Sequence, residues 1–213
     1  MTNLNKRILT SLIALPLSIF FVVKGGYLLT FFLIFILFAG MHELFSVFKK
    51  IKSILFLSLI LILSLFYIYY LSEKEPWLLY FVVAVTISSD IGGYVFGKIF
   101  KWKKLTKISP NKTVSGVVGS YFFSVICLFI YYYQLQNAFG SGFQVNVQAF
   151  LITIIFSTVA QAGDLTISYF KRLEKIKDTG KILPGHGGIF DRIDGLMFIV
   201  ILTFILYYLK FIS

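Results

Sequence analysis

The chain has 213 residues, 58% of them hydrophobic and 19% aromatic, with a mean hydropathy of +0.88. A soluble domain of this length could bury a core, but it could not cover so much apolar surface; repeated runs near the length of a bilayer crossing give an all-α polytopic integral membrane protein. The net charge of +11 does not point to nucleic acid, because the cations sit in short loops between apolar runs, where they set orientation and bind phosphate.

Asn5-Lys6-Arg7 followed by Ile8–Val23 resembles the start of a signal peptide. No small-x-small cleavage site follows and a second apolar block begins at Tyr27, so a retained first span is expected. Lys24-Gly25-Gly26 reads as a tight turn into a second span, Tyr27 to about Val47, and Lys49, Lys50 and Lys52 mark a basic loop. Ile54–Leu71 is the third span, and Ser72–Pro76 a short loop of mixed sign. Trp77 to about Val95 is the fourth, with Trp77 and Tyr80 placed where aromatic belts lie. A long basic loop from Lys98 to Lys112 precedes the fifth span, Val114–Tyr133. Cys127, the lone cysteine, lies inside that run, which excludes an intramolecular disulfide framework and a Cys-based metal site.

The uncharged stretch Gln134–Asn146 leads to a sixth span, Val147 to about Thr166, and after a polar stretch Gly195–Leu209 closes the chain. That makes about seven transmembrane helices. Of the 20 Lys and Arg, all but Lys24, Lys74 and Lys210 fall at the amino terminus or in the loops after the second, fourth and sixth spans. Cations concentrate on the cytoplasmic side, so the amino terminus and these three loops are expected there. Without repeats or linkers the chain reads as one domain, 1–213, with 1–75 giving amino-terminal spans and 76–213 the catalytic part.

The residues with chemical potential lie in that second part. Asp90, in Ser88-Ser89-Asp90-Ile91-Gly92-Gly93, falls in or at the edge of an apolar span. A carboxylate there costs roughly 2.5–3.5 kcal/mol on insertion scales, so it faces the bundle interior or a wet cavity, or pairs with a lysine such as Lys98. Gly92, Gly93 and Gly97 read equally as helix-packing positions or ligand contacts. In Ser109-Pro110-Asn111-Lys112-Thr113 the Ser-Pro sets a turn, and Lys112 and Thr113 stand at the start of the fifth span. They suit a phosphate at a helix amino terminus, or an ordinary cap with an interfacial lysine.

Asp164 lies near the end of the sixth span. Asp191 and Asp194, three apart, share a face if the last helix begins near Asp191. Hard carboxylate oxygens from separate elements suit Mg²⁺, which keeps waters and takes its remaining ligands from substrate phosphates. Lys171, Arg172, Lys175 and Lys177 offer phosphate contacts or, as the plainer reading, a positive-inside flank. Gly185, Gly187 and Gly188 permit backbone approach to a ligand, and His186 reads either as a phosphate donor or as a structural hydrogen-bonder.

Ser168-x-x-Lys171-Arg172, then Lys177-Asp178-x-Gly180, then Pro184-x-His186-Gly187-Gly188-x-x-Asp191-Arg192-x-Asp194 resembles the signature of phosphatidate cytidylyltransferases, also called CDP-diacylglycerol synthases. Ser109-Pro110-x-Lys112-Thr113 and Asp90 resemble that family's second recognisable region. Two positions depart from it: Ser115 and Ile167 stand where family members often carry Glu.

The resemblance implies transfer of a cytidylyl group from CTP to phosphatidate, giving CDP-diacylglycerol and pyrophosphate in phospholipid biosynthesis. It implies Mg²⁺, with a second cation admitted, and an active site at the cytoplasmic face of the cell's inner (plasma) membrane. Asp164, Lys171, Arg172, Asp191 and Asp194 would be catalytic, with Asp164, Asp191, Asp194 and Asp90 holding metal. Ser109, Lys112, Thr113, Lys177, Asp178, His186, Gly187, Gly188 and Arg192 would contact substrate. The expected partners are CTP, phosphatidate and membrane lipids, with a homodimer admitted and no nucleic acid. A CTP-dependent lipid kinase is the alternative enzyme reading, and a cation channel or transporter the alternative from another class.

Overall fold

The computed structural model describes residues 3–139, 145–180, 182 and 187–212. Seven helices run through them: α1 (Asn3–Lys24), α2 (Gly26–Val47), α3 (Ile51–Lys74), α4 (Pro76–Phe100), α5 (Val114–Phe139), α6 (Val147–Leu173) and α7 (Phe190–Tyr208). No strand occurs among the described residues; the sole extended pairing there is an isolated bridge between Lys104 and Thr113. Each expected span has its helix, because an apolar run in hydrocarbon must satisfy every backbone N–H and C=O within itself. Helices α2 to α6 are long and apolar enough to cross a bilayer. The first turn of α7 carries Asp191, Arg192 and Asp194, which keeps it outside that count.

Short joints are read directly from local chemistry. Gly25 and Gly26 adopt φ of 61° and 54° between α1 and α2, a left-handed conformation that glycine reaches without strain. Glu75 alone separates α3 from α4, and Pro76 takes the first helical position, where its missing N–H has no intrahelical partner to lose. Asn146 caps α6 by accepting from the Ala149 N–H at 2.8 Å. At the other end of α6, Ile176 N donates to Lys171 O and Lys175 N to Arg172 O, both at 3.0 Å, with Lys175 at φ 59°. This is a left-handed terminus of the Schellman type.

Packing follows small residues. On α4, Gly93 faces Ser120 and Gly116 of α5, and a Cβ placed there would lie 2.9 Å from Ser120 Oγ. Gly92 is likewise closed against Gly119, and Gly97 against Thr113. These glycines are therefore packing positions, bringing the two backbones together. Gly163 of α6 abuts Phe198 and the Asp194 carbonyl, and Gly195 of α7 abuts the Ala160 carbonyl.

The buried core runs through Leu44, Leu61, Leu79, Phe156, Phe190 and Ile199, while large apolar side chains such as Phe31, Phe38, Phe66 and Phe129 point outward. An outer surface of this kind is solvated by lipid, and the chain is a multi-pass helical membrane protein. Ile167 is fully buried and Ser115 nearly so. Neither position presents a carboxylate to the site.

The three basic loops meet at one end of the bundle. Lys50 N donates to Glu174 Oε1 at 3.0 Å, and Lys50 Nζ donates to the Leu173 carbonyl at 3.2 Å. Arg172 Nε donates to Ile108 O at 3.3 Å. The opposite end holds Glu75, which accepts from the Tyr207 hydroxyl at 3.2 Å, and Tyr80, which donates to Val23 O at 3.3 Å.

Candidate active site

Three aspartates from three helices share one neighbourhood near the basic end. Gly163 and Gly195 let α6 and α7 approach closely, and Asp164 and Asp194 are their immediate neighbours in sequence. Helix α4 is fixed to α6 one residue from Asp90, where the buried Ser89 and Ser157 hydroxyls hydrogen-bond at 2.9 Å. Gln161 Nε2 donates to Ser157 O at 3.2 Å and extends this polar seam. Asp90, Asp164 and Asp194 are consequently within electrostatic reach of one another, and Lys112, Lys171 and Arg192 act on them as the nearby cations. Asp90 keeps accessible surface although it lies within a packed span. Asp194 is half-buried, and its Oδ1 accepts from Gly195 N at 2.8 Å. Among the described residues, no three His, Cys, Asp or Glu side chains close on a metal by themselves.

Lys112 enters from the basic loop. Its N–H donates to Ser109 O at 3.1 Å, closing the turn in which Pro110 fixes the backbone. Leu105 N to Lys112 O at 2.8 Å and Val114 N to Lys103 O at 2.9 Å tie the turn to its own loop. From there Lys112 Nζ reaches Asp164 Oδ2 at 2.7 Å and donates to Gln161 O at 3.2 Å. Thr113 Oγ1 accepts from Gly116 N at 3.1 Å and hydrogen-bonds with Ser115 Oγ at 3.0 Å. Thr113 is thus an amino-terminal cap of α5, and the spare hydroxyl of Ser115 is engaged in the same cap.

A second cluster lies beside the first. Lys171 Nζ and Asp191 Oδ1 form an ion pair at 2.7 Å, with side-chain exposures of 10% and 4%. Asp191 Oδ2 also accepts from Thr179 N at 2.8 Å and Gly188 N at 3.2 Å. A buried carboxylate is tolerable when its lone pairs are filled in this way. Asp191 therefore binds Lys171 and two segments of the connecting chain. Arg172 Nη1 donates to Ile176 O at 2.9 Å, so its guanidinium ties the end of α6 to both flanking loops. Lys177, Asp178 and Arg192 are exposed at this end. Gly187, at φ 86°, lies against Asp178 and Asp191, while the Cα of Gly188 lies against Thr179 and Glu43. Gly187 has a left-handed backbone, and the space beside Gly188 is filled by protein. His186, with Lys181, Pro184 and Gly185, lies outside the described residues.

Glu43 of α2 was not among the expected site residues. It is 1% exposed, and its carboxylate accepts from Ile189 N at 2.9 Å, Phe190 N at 3.0 Å and the Thr179 hydroxyl at 3.3 Å. The signal was available, since Glu43 is the one carboxylate in the second apolar run and an ionisable group in such a run calls for a partner. Its partners are backbone amides from the far end of the chain, which carry no side-chain signature.

Among the described residues the arrangement has hard oxygen donors in one neighbourhood, cations around them and no activated thiol, Cys127 being buried on α5. Such a site binds polyanions and stabilises charge by position and electrostatics.

Residues 49–210 match the Cytidylyltransferase family. The chain is similar to the phosphatidate cytidylyltransferase of Rickettsia conorii, 32% identical over 213 residues that cover 96% of this chain and 91% of the relative. It is 34% identical to that of Rickettsia felis over 206 residues, 92% of this chain and 88% of the relative. It is 43% identical to that of Staphylococcus aureus over 137 residues, 63% of this chain and half of that longer protein.

Proposed function

The chain belongs to the cytidylyltransferase family, and from that premise we infer that it transfers the cytidylyl group of CTP to phosphatidate, releasing CDP-diacylglycerol and pyrophosphate. The observation that carries the reading onto the residues is the convergence of Asp90, Asp164 and Asp194 beside Lys112, Lys171 and Arg192. In the reaction a phosphate oxygen of phosphatidate bonds to the α-phosphorus of CTP as the bond to pyrophosphate breaks. The attacking group is already an anion, so no side chain has to become a nucleophile. What the chain must do is hold two polyanions together against their repulsion.

In this reading Asp90, Asp164 and Asp194 would hold Mg²⁺, and a second cation beside it, together with substrate phosphates, because the three carboxylates do not close on an ion by themselves. They offer only hard oxygens, from three helices, and they leave ligand positions for water and substrate phosphates, as Mg²⁺ prefers. Once bound, the ion would neutralise charge on the triphosphate and on the leaving pyrophosphate. Lys112 stands where it can exchange its Asp164 partner for phosphate oxygens. Lys171 has three N–H donors, of which Asp191 takes one. Asp191 serves in this reading to aim Lys171 and anchor the loop. In this reading Arg172, Lys177, Asp178, Ser109, Thr113 and Arg192 contact the substrates from the side of the basic loops.

The positive charge of those loops supports a cytoplasmic site and seven membrane spans, with α1 and α7 crossing as well. Phosphatidate would enter sideways so that its acyl chains stay in hydrocarbon. Purified protein given CTP, phosphatidate and Mg²⁺ is expected to release pyrophosphate and form CDP-diacylglycerol. If all three are present with folded protein and no lipid-linked cytidylyl group forms, the reading is wrong.

A further inference from the structure

Glu43 lies ahead of residue 49, where the match to the family begins, yet it grips the chain on both sides of the site's connecting loop. One oxygen accepts from Ile189 N; the other accepts from Phe190 N and from the Thr179 hydroxyl. The Thr179 N–H points the other way, to Asp191 Oδ2, and Asp191 Oδ1 holds Lys171 Nζ at 2.7 Å. An unbroken line of polar contacts thus runs from α2 through Thr179 and Asp191 to the Lys171 ammonium. Thr179 itself is fully buried, and the Lys171 and Asp191 side chains are only 10% and 4% exposed, so water competes little for these bonds. Gly180 and Gly188 make room for the carboxylate: a Cβ at Gly180 would sit 2.5 Å from Glu43 Oε1. The first amides of α7 would otherwise be unpaired, and a negative group at a helix amino terminus is favoured.

We propose that Glu43 is a positioning residue for the nucleotide. It fixes Thr179–Gly180 and Gly188–Phe190, and through Asp191 the Lys171 ammonium, in the arrangement that receives the CTP phosphates. It does not touch substrate. Glutamine at this position keeps the volume but turns one acceptor into a donor facing an N–H. Losing a group that orients a ligand-binding residue typically costs 10–100-fold, and here the loss falls on ground-state binding of CTP because Asp164 and Asp194 are held by other contacts, Lys112 Nζ and Gly195 N.

The inference rests on the cytidylyltransferase reading. Its test uses the full chain in lipid–detergent micelles, with CTP, phosphatidate and Mg²⁺, comparing wild type, Glu43→Gln and Thr179→Val. The expected result for Glu43→Gln is a KM for CTP raised by roughly tenfold or more, with kcat and the KM for phosphatidate close to wild type. Thr179→Val should shift in the same direction by less. Amide hydrogen exchange should quicken in the peptides covering 179–180 and 188–190 and stay slow across α4 and α5. A wild-type KM for CTP in Glu43→Gln overturns the proposal. So does exchange that quickens throughout the bundle with activity falling in step with folded protein. If Glu43→Gln does not fold, Thr179→Val decides, an unaltered KM for CTP counting against the idea. A wild type that makes no CDP-diacylglycerol overturns the underlying reading; an active wild type with an indifferent Glu43→Gln overturns this inference alone.

Discussion

Lys112 Nζ lies 2.7 Å from Asp164 Oδ2, joining the start of α5 to the middle of α6, with 23% and 33% of the two side chains exposed. A half-exposed pair of this kind contributes at most about 1 kcal/mol to stability. Under the proposed reaction its value is in catalysis, where it keeps a cation beside the clustered aspartates. Lys112→Ala is expected to change unfolding stability by less than about 1 kcal/mol. The lost charge-assisted contact, worth about 1.5–3 kcal/mol, should lower kcat/KM for CTP by roughly tenfold or more. Steady-state kinetics beside a thermal unfolding curve checks both halves. An unaltered kcat/KM would remove Lys112 from the phosphate contacts.

Asp194→Asn keeps the volume and removes the charge. Because Asp194 shares its neighbourhood with Asp90 and Asp164, the substitution should abolish turnover across a Mg²⁺ titration while leaving the protein folded. Groups outside the first ligand shell typically cost only 10–100-fold. Retention of more than about a tenth of wild-type activity would place Asp194 among those outer groups.

The position of the label separates a cytidylyltransferase from a CTP-dependent lipid kinase. Attack at the α-phosphorus leaves the nucleotide on the lipid. Label from α-³²P-CTP should therefore enter the lipid extract, and label from γ-³²P-CTP should appear in aqueous pyrophosphate. Lipid labelled from the γ-position alone would identify a kinase.

Lys103 and Lys177 lie in two of the basic loops that meet at one end of the bundle. Cysteines placed singly there, with Cys127 replaced by Ala, should react with a membrane-impermeant thiol reagent only after intact cells are permeabilised. Labelling of either without permeabilisation would reverse the orientation.

The helices were legible because hydrophobicity over a bilayer's length leaves the backbone one solution. Their ends were less so: α6 continues past Thr166 to Leu173 because Ser168, Lys171 and Arg172 keep helical geometry while leaving the apolar run. The last helix begins at Phe190, ahead of the apolar run from Gly195, which meets the condition for Asp191 and Asp194 to share a face. Their spacing could not reveal that Asp191 accepts from Thr179 N and Gly188 N. Glycines gave the pairing of helices only by hindsight, since Gly92 and Gly93 read equally well as ligand contacts. The bond from Glu43 to Ile189 and Phe190 was least accessible, because amides two thirds of the chain away have no residue type to betray them.

The contact of α4 with α5 has a bearing on traffic. Gly92, Gly93 and Gly97 set one backbone directly on the other at Gly116 and Gly119, so no gap the width of an acyl chain exists between those helices. To a lipid diffusing in the bilayer, this side of the protein is a sealed wall. Diacylglycerol tails must come and go past another pair of helices.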